Sequence, residues 1–399
     1  MIGWSRVAVE ELCTEITDCV NKTAPSVDYV TEYKMIRTTN IKQGRINLDE
    51  VRYVKEETYK TWIRRGAPQL EDIILTREAP VGEVGMIRTS EKVFLGQRTM
   101  MYRADKRKVN PYFLYYAFQS PDVKDQINQA GLGSVEEHIR ISDAKKFLIN
   151  CPSLPEQNSI ASILSVLDAK IDLLNCQNKT IEKLAEVLLI EHVLPREGET
   201  NDTLHLLKEY LESSSVTHKF QKPQVIFLNT SDIYRGKVLT NELSDVKGLP
   251  GQAKKSIKKG DILFSEIRPA NGRYVLIDFE AENYVVSTKL MVLRAKQPKL
   301  TGLLYFYLIN KQVTNWLQVL AESRSGTFPQ ITFDQIADLE LRLPQGNDLD
   351  NLIELLDDIL LKQSANNKQI QTLENLRDTL LPKLMSGEVR VQYQIEEVA

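Results

Sequence analysis

The chain has 399 residues, a length that favours two or three domains over a single one. Apolar residues make up 42% of it, which is enough for buried cores, and no apolar run is long enough to predict a signal peptide or a membrane span. The net charge of −3, taken alone, argues against a nucleic-acid partner.

The distribution of charge along the chain weakens the argument against a nucleic-acid partner. Residues 32–108 carry 17 Lys and Arg against 11 Asp and Glu, and residues 219–299 carry 15 against 8, whereas residues 348–399 carry 5 against 10. Two basic blocks therefore alternate with acidic helical segments. Ordinary surface scatter produces a similar excess, so charge alone does not decide the partner.

The cysteines carry no metal or redox signal. Cys13, Cys19, Cys151 and Cys176 are too scattered for a zinc knuckle or a C-x-x-C site. We therefore expect a reduced, cytoplasmic protein.

The first part of the chain predicts a mixed α/β domain. VAVEELCTEI, from Val7, predicts a short amphipathic helix. KMIRTTNIKQGRI predicts two strands around a polar loop, with Gly44 at the turn, and DIILTREAPVGEVGMI, from Asp72, predicts a hairpin. TMMYRAD predicts a further strand. NPYFLYYAFQS predicts a helix capped by Asn110, with Pro111 at its first position and its aromatic residues in the core.

A long helix follows, from Leu154 to Glu191, with no Gly or Pro after its first turn. Its apolar positions are Ile160, Leu164, Leu167, Ile171, Leu174, Ile181, Ala185 and Leu188. The steps alternate between four and three residues, as in the seam of a coiled coil, and Asn178 is the polar position in that series. A buried Asn costs stability but fixes register, so Asn178→Leu is expected to stabilise the pair and loosen its register.

A second helix repeats this pattern from Leu343 onward. Asp357 matches Asp168 and Asn367 matches Asn178, each pair 189 residues apart. The alternative is two unrelated amphipathic helices, each packed on its own domain. Because a polar interruption recurs at the same register, we favour two helices that pair.

The domain before the second helix repeats the sequence pattern of the first domain. VIFLNTSDIYRGKVL matches the first strand–loop–strand, and KGDILFSEIRPANGRYVLI matches the hairpin. KLMVLRA matches TMMYRAD, and GLLYFYLIN matches the aromatic helix. The sequence therefore predicts an α+β tandem duplication, in which each mixed α/β domain is followed by a long helix.

No enzyme motif is evident. The chain has no G-x-x-x-x-G-K-[ST], G-x-S-x-G or G-x-G-x-x-G pattern, and no clustered His or Cys suited to a metal. The histidines have no convincing partners; His138 follows a Glu pair but is expected to be a lone surface residue. Acid pairs such as Asp357-Asp358 are expected to be solvated.

Both copies instead share polar loops whose residues suit DNA. Arg pairs with guanine edges and Asn or Gln with adenine, whereas Lys, Ser and Thr hold phosphates. In the first copy the candidates are Arg37, Thr38, Thr39, Asn40, Lys42, Arg45, Arg77, Arg98, Ser134 and Arg140. In the second they are Asn229, Thr230, Ser231, Arg235, Lys237, Arg268, Asn271, Arg273, Lys289, Arg324, Thr327 and Gln330. Equivalent positions with different identities are what two readers of different sequences would show, although a solvated loop is the alternative for any single residue.

Specific motifs resemble the DNA-specificity subunit of type I restriction-modification enzymes. They are Leu154-Pro155-Glu156-Gln157, then Ile160-Ala161, Leu164-Ser165, Leu167-Asp168 and Lys170-Ile171, and the closing stretch Leu380-Leu381-Pro382-Lys383-Leu384-Met385-Ser386-Gly387-Glu388. The resemblance spans the whole chain. The second helix departs from it at Gln345-Gly346-Asn347, where the first has Glu156-Gln157-Asn158.

The resemblance implies a domain order. It gives target recognition domain 1 at residues 1–153, spacer helix 1 at 154–194, target recognition domain 2 at 195–342, spacer helix 2 at 343–386 and a tail at 387–399. It also implies that the helices pair as an antiparallel coiled coil, which would bring Asn178 and Asn367 together. Each domain would then read one half of a split double-stranded DNA target.

The resemblance further implies partners. Two adenine-methylating modification subunits would carry S-adenosylmethionine, and a motor-nuclease subunit would use ATP and magnesium, while this chain would hold no cofactor and catalyse nothing. Two other readings stay open: a coiled-coil adaptor that binds proteins, and a specificity module of a single-chain restriction-modification enzyme or another phage-defence complex.

Overall fold

The computed structural model describes residues 3–131, 137–196, 204–324 and 329–391. The chain forms two compact units. Unit 1 comprises Met1–Leu173 with Ile370–Ala399, and unit 2 comprises Leu174–Gln369. Each unit therefore contains one mixed α/β domain and one part of each of the two long helices.

The elements of the first half are as follows. The strands are β1 (Ser5–Ala8), β2 (Cys13–Asp18), β3 (Tyr33–Ile36), β4 (Ile41–Lys42), β5 (Arg45–Ile46), β6 (Arg52–Tyr53), β7 (Ile73–Thr76), β8 (Val84–Met86), β9 (Lys92–Leu95), β10 (Thr99–Ala104) and β11 (Leu148–Cys151). The helices are α1 (Val9–Leu12), α2 (Glu56–Trp62), α3 (Pro111–Gln119), α4 (Pro121–Gly131), α5 (Ile141–Ala144) and the long α6 (Leu154–His192).

The second half contains the matching set. The strands are β12 (Leu204–Leu206), β13 (Leu211–Ser214), β14 (Gln224–Leu228), β15 (Ile233–Tyr234), β16 (Lys237–Val238), β17 (Leu243–Asp245), β18 (Ala253–Ser256), β19 (Ile262–Ser265), β20 (Tyr274–Leu276), β21 (Tyr284–Ser287), β22 (Leu290–Ala295) and β23 (Glu340–Arg342). The helices are α7 (Thr301–Ile309), α8 (Lys311–Arg324), α9 (Phe333–Ala337) and the long α10 (Asn347–Ser386).

The two domains share their sheet topology, except that unit 2 adds strand β18 to its second sheet. A four-stranded antiparallel sheet has the order β2-β10-β7-β8 in unit 1 and β13-β22-β19-β20 in unit 2. A second sheet has the order β6-β3-β9 in unit 1 and β17-β14-β21-β18 in unit 2, with β3–β9 and β14–β21 parallel. The predicted tandem duplication is confirmed, and so is the predicted hairpin, since β7 and β8 pair antiparallel.

A partly buried ion pair recurs at the start of an equivalent strand in each domain, β7 and β19. Asp72 accepts two hydrogen bonds from Arg103, at 3.0 Å to Nε and 2.7 Å to Nη2. Asp261 accepts two from Arg294, at 2.7 and 2.9 Å. Both carboxylates are at most 1% exposed. Because a bidentate pair fixes geometry as well as charge, β7 against β10 and β19 against β22 are held in the same way.

The predicted N-terminal helix is wrong. Ser5–Ala8 is strand β1, paired antiparallel with β11, and only the single turn Val9–Leu12 is helical. Cys13 onward is strand β2, paired with β10. Both partner strands lie far along the chain, so a local hydrophobic pattern could not show that tertiary pairing would override it.

The predicted aromatic helix is confirmed as α3. The Asn110 side-chain oxygen accepts hydrogen bonds from the backbone N–H groups of Tyr112 and Phe113, at 2.9 and 3.1 Å, and Pro111 opens the helix. Such a cap satisfies donors that have no partner within the helix. Phe113 and Tyr116 are fully buried, so these aromatic residues belong to the core, as predicted.

The two long helices pair antiparallel within each unit. In unit 1, Leu164 of α6 shares one core with Leu381 of α10. In unit 2, Leu189 of α6 shares another core with Leu356 of α10. In unit 1 Asp168 of α6 also bonds Arg377 of α10, and in unit 2 Asn178 of α6 bonds Asn367 of α10. Within each unit, a position further along α6 therefore meets an earlier position of α10. The second helix begins at Asn347, directly after Gly346, whose φ of +60° is left-handed.

Candidate nucleic-acid interface

In unit 1, segments that are distant in sequence meet at one end of the central sheet. The Arg77 N–H donates to the Arg98 carbonyl at 2.8 Å, and the Ile139 N–H donates to the Arg77 carbonyl at 3.1 Å. The Thr38 hydroxyl donates to the Ala79 carbonyl at 2.9 Å. The structure therefore brings the predicted loops after β3, β7 and α4 together.

Unit 2 builds the same frame. The Glu266 N–H donates to the Lys289 carbonyl at 3.1 Å, and the Ile331 N–H donates to the Glu266 carbonyl at 2.9 Å. Arg273 ties in the loop after β14, because its Nη1 donates to the Ser231 carbonyl at 3.1 Å. The same backbone frame thus presents two different sets of side chains.

One carboxylate shows how different the two sets are. In unit 1, Glu78 lies 2.9 Å from Arg98 Nε and 2.5 Å from His138 Nδ1. Local sequence gives His138 no partner, because Glu78 is 60 residues away. At the matching place, unit 2 has Ile267 and Lys289. Only the first domain can therefore present an acid–base cluster here.

Some predicted DNA-binding residues hold the loops together instead. Asn40 is 3% exposed; its Oδ1 accepts from the Arg37 N–H at 2.9 Å, and its Nδ2 donates to the Glu50 carbonyl at 3.2 Å. Thr38 is 9% exposed and Arg77 is 7% exposed. Because these side chains are buried, their polar groups support the loop backbone and are not part of the exposed surface.

In unit 2 the loop after β14 is capped in a similar way. The Asn229 carbonyl oxygen of the side chain accepts from the Thr230 N–H at 2.9 Å, and the Asn229 N–H donates to Asp232 Oδ2 at 2.8 Å. Lys289 and Gln330 are half-buried, and Arg273 is engaged with backbone carbonyls.

Nine candidates are exposed, Arg37, Arg45 and Thr230 are half-buried, and three positions lie outside the described residues. The exposed ones are Thr39, Lys42, Arg98 and Arg140 in unit 1, and Ser231, Arg235, Lys237, Arg268 and Asn271 in unit 2. Ser134, Thr327 and the side chain of Arg324 lie outside the described residues.

Arg45 is part of an anchor that the sequence analysis missed. Asp168 on α6 is 1% exposed and accepts from Tyr116 Oη at 2.8 Å, Arg377 Nη1 at 3.1 Å, and Arg45 and Arg88 Nη2 at 3.3 Å each. Burial raises the pKa of this carboxyl, but Arg45 and the other donors outweigh burial, and its pKa lies below the ordinary value.

This anchor joins the domain of unit 1 to the helices. Arg45 lies on β5, Arg88 follows β8, Tyr116 lies on α3 and Arg377 lies on α10. Asp172, one turn beyond Asp168, takes further ion pairs from Arg45 Nε at 2.8 Å and Arg88 Nη1 at 2.9 Å. The only sequence signal was two acids four residues apart on one face of the predicted helix.

The predicted register residues meet in unit 2. Asn178 Nδ2 donates to Asn367 Oδ1 at 3.0 Å, and Asn366 Nδ2 donates to Asn178 Oδ1 at 2.8 Å. Asn366, which is 2% exposed, was not singled out from the sequence. Whether these amides fix the register stays a prediction.

In the described part of the chain, no three His, Cys, Asp or Glu side chains are placed to hold a metal ion. None of its helices is both long and apolar enough to cross a membrane.

This chain is similar in sequence and in fold to known proteins. The family described as type I restriction modification DNA specificity domain matches residues 1–183 and 211–375. The HindI specificity subunit of Haemophilus influenzae is 46% identical over 159 residues, a match that covers 40% of this chain and 35% of that protein. The MjaIX specificity subunit of Methanocaldococcus jannaschii is 24% identical over 347 residues, covering 80% of this chain and 78% of that protein.

A solved structure has the same fold. The S subunit of a type I restriction-modification system from M. genitalium aligns over 96% of both chains with a TM-score of 0.57, at 16% sequence identity. At that identity the match concerns the fold alone.

Proposed function

This chain belongs to the family of type I restriction-modification DNA specificity subunits, and we propose that it reads a bipartite DNA target without catalysing a reaction itself. Each domain reads one half of the target, and the paired helices hold the two halves at a fixed separation. The chain acts in the cytoplasm, where the DNA of the cell and of an invading phage is accessible.

One observation carries this proposal. The same backbone hydrogen bonds recur in both domains, from Arg77 and from Glu266, while the side chains around them differ in charge and shape. Folding of this backbone does not by itself require Arg98 and Glu78 in the first domain and Lys289 and Ile267 at the matching positions of the second. Different side chains on one frame suit the reading of two different base sequences.

The exposed groups suit the two kinds of contact that DNA readers make. Lys42 and Lys237 are exposed at equivalent hairpins and, as point charges, suit phosphates. Exposed Arg98 and Arg268 carry forked donors that match a guanine edge. The buried residues Asn40 and Arg77 support these loops from below.

The long helices suit a spacer and a docking platform. Both are continuous, with 39 residues in α6 and 40 in α10, and a helix keeps a fixed rise per residue. Two adenine-methylating modification subunits dock on this chain and bring S-adenosylmethionine. A motor-nuclease subunit joins them and uses ATP and magnesium to cut unmodified DNA.

The decisive experiment is co-expression with the modification subunit from the same operon, followed by mapping of methylated adenines in the host DNA. We expect a split motif of two defined halves around an undefined gap. Replacing residues 1–153 with those of another family member should then change one half only. Change in both halves, or a motif without a gap, would contradict one reader per domain.

The spacer is tested separately by inserting one heptad into each long helix. The undefined gap should lengthen while both half-site sequences stay the same, because the reading loops are untouched. An unchanged gap with full methylation would show that the helices do not set the distance.

Salt dependence separates this proposal from a protein-binding adaptor. Binding through phosphates weakens linearly in log salt with a steep slope, whereas an apolar protein interface does not. We expect the complex with the modification subunit to show that slope on target DNA. No methylation and no salt-sensitive DNA binding would favour the adaptor.

A further inference from the structure

Two loop tips have a left-handed backbone in both domains. At the turn between β4 and β5 Gln43 has φ +50°, and at the matching turn between β15 and β16 Arg235 has φ +42°. After β7 Ala79 has φ +43°, and after β19 Arg268 has φ +47°. A positive φ is thus kept at both tips while the side chain changes, although the Ala79-Pro80 peptide bond is cis and the Arg268-Pro269 bond is not.

The first tip is a two-residue hairpin turn. Lys42 pairs with Arg45, and both Gln43 and Gly44 have positive φ; Arg235 and Gly236 repeat this arrangement. Turns of this type favour Asn, Asp or Gly at the first central position, because other side chains clash with the backbone there. The turn itself therefore does not explain an Arg at position 235.

At the second tip, the left-handed backbone of Arg268 is disfavoured for an additional reason. Arg268, with φ +47° and ψ +73°, immediately precedes Pro269. A residue before proline is driven to extended conformations. Strained backbone of this kind persists where the surrounding structure holds it, and it concentrates at functional sites.

The structure around both tips holds the backbone and leaves the guanidinium exposed. The Arg235 N–H donates to the Gly272 carbonyl at 2.8 Å, and the Arg268 N–H donates to the Pro329 carbonyl at 3.2 Å. The Arg235 guanidinium lies 5.3 Å from the centre of the Tyr234 ring. Among the described residues, neither guanidinium makes a hydrogen bond or an ion pair.

We propose that Arg235 and Arg268 are the base-reading residues of the second domain, each making a bidentate contact with a guanine in the major groove. This rests on the proposed function of the chain. Each tip carries one exposed arginine, and the guanidinium fork matches guanine O6 and N7. At the equivalent tips, Gln43 and Ala79 cannot make that contact, so the first half-site is read differently.

The test separates strain from recognition. Arg235→Asn places a residue that tolerates the left-handed conformation in the turn and removes the guanidinium. We expect an unchanged or higher melting temperature for the complex with the modification subunit. Affinity for the target should fall about 5- to 150-fold, and one guanine of one half-site should become degenerate in the methylation map. Arg268→Asn should do the same at another guanine.

Two control variants identify the kind of contact. Arg235→Lys keeps the charge but loses the fork, so it should also relax that one base. Lys247→Asn removes an exposed charge elsewhere in unit 2 and should leave the motif intact. The wild-type complex is mapped first, so the absence of any split motif counts against the proposed function and not against the tips alone.

Three outcomes would overturn the assignment. If both Asn variants keep the wild-type motif, the tips do not read bases. If Arg235→Lys keeps the motif while Arg235→Asn weakens binding to every sequence equally, Arg235 holds a phosphate. If Arg235→Asn lowers the melting temperature, the residue serves the fold, for example by offsetting the charge of nearby Glu182, whose pKa burial raises.

Discussion

Asp168 in unit 1 and Asp357 in unit 2 occupy equivalent positions of the long helices, but their environments are opposite. In unit 1, Asp168 is 1% exposed and accepts hydrogen bonds from Tyr116 and three arginines. In unit 2, Asp357 is half-buried and makes no ion pair with any described residue. Burial and the neighbouring Asp358 raise the pKa of Asp357, whereas the pKa of Asp168 is lowered.

The neighbours explain the difference. The residue 189 positions before Arg377 is Leu188, which packs against the apolar core of unit 2. The residue 190 positions after Tyr116 is Phe306, which is 4% exposed in that core. Unit 1 therefore fastens its domain to the helices through charge and hydrogen bonds, whereas unit 2 uses apolar packing. One fold accommodates both, because a buried network and an apolar contact of similar shape can be nearly equivalent in stability.

The largest expected effect comes from Asp168→Asn. It leaves Arg45, Arg88 and Arg377 without their buried counter-charge, and we expect unit 1 to lose about 3 kcal/mol of stability. Hydrogen exchange measured by mass spectrometry should show faster exchange in unit 1 peptides only. Asp172→Asn is the matched control, because its side chain is 41% exposed and should matter by less than about 1 kcal/mol. Equal effects of the two variants would rule out the buried anchor.

Asn178→Leu should have a smaller effect, in unit 2. The heptad pattern alone predicts stabilisation, but in the structure the change leaves the amide of Asn366, only 2% exposed, without its acceptor. An unpaired buried donor costs about 1–3 kcal/mol, so we now expect destabilisation. Urea unfolding followed by circular dichroism measures it. Changing Asn178 and Asn366 together to Leu should recover most of the loss, and no recovery would argue against this pairing.

Asp357→Asn should change stability by at most about 1 kcal/mol, and in the stabilising direction. It removes a charge that burial and Asp358 disfavour, and it breaks no ion pair of the described residues. The same exchange measurement, read in unit 2 peptides, checks this. A loss as large as that of Asp168→Asn would erase the contrast between the units.

The smallest effect is a pH dependence of opposite sign in the two units. The folded pKa of Asp168 is below 3.8, so its contribution is present above that pH and is lost as pH falls below 3.8. The folded pKa of Asp357 is above 3.8, so protonation of Asp357 stabilises unit 2 as pH falls towards 3.8. Each contribution is the difference between the stability–pH curves of the wild type and the Asn variant. Curves that stay parallel would contradict both assignments.

Local pattern was sufficient for much of the fold. Apolar residues at steps of three and four predict the seam of α6. The Asn110 cap and Pro111 predict the start of α3. Both signals involve residues within a few helical turns of each other. The spacing of 189 between Asp168 and Asp357 was enough to predict the duplication, because equivalent positions of a repeat keep their order. The β7–β8 hairpin was predictable as well, since hairpin ends are marked by Gly and Pro.

Tertiary structure decided which polar residues face solvent and which are used inside. Nothing local distinguishes Asn40, a buried cap, from Thr39, an exposed neighbour. Asp168 finds donors at positions 45, 88, 116 and 377, and β1 finds its partner at residues 148–151. The sequence by itself determined the repeat, the helices and the kind of chemistry in the loops. Only the fold decided the anchor, the different environments of Asp168 and Asp357, and the exposure of the arginines at the tips, because burial and pairing depend on residues brought together from distant parts of the chain.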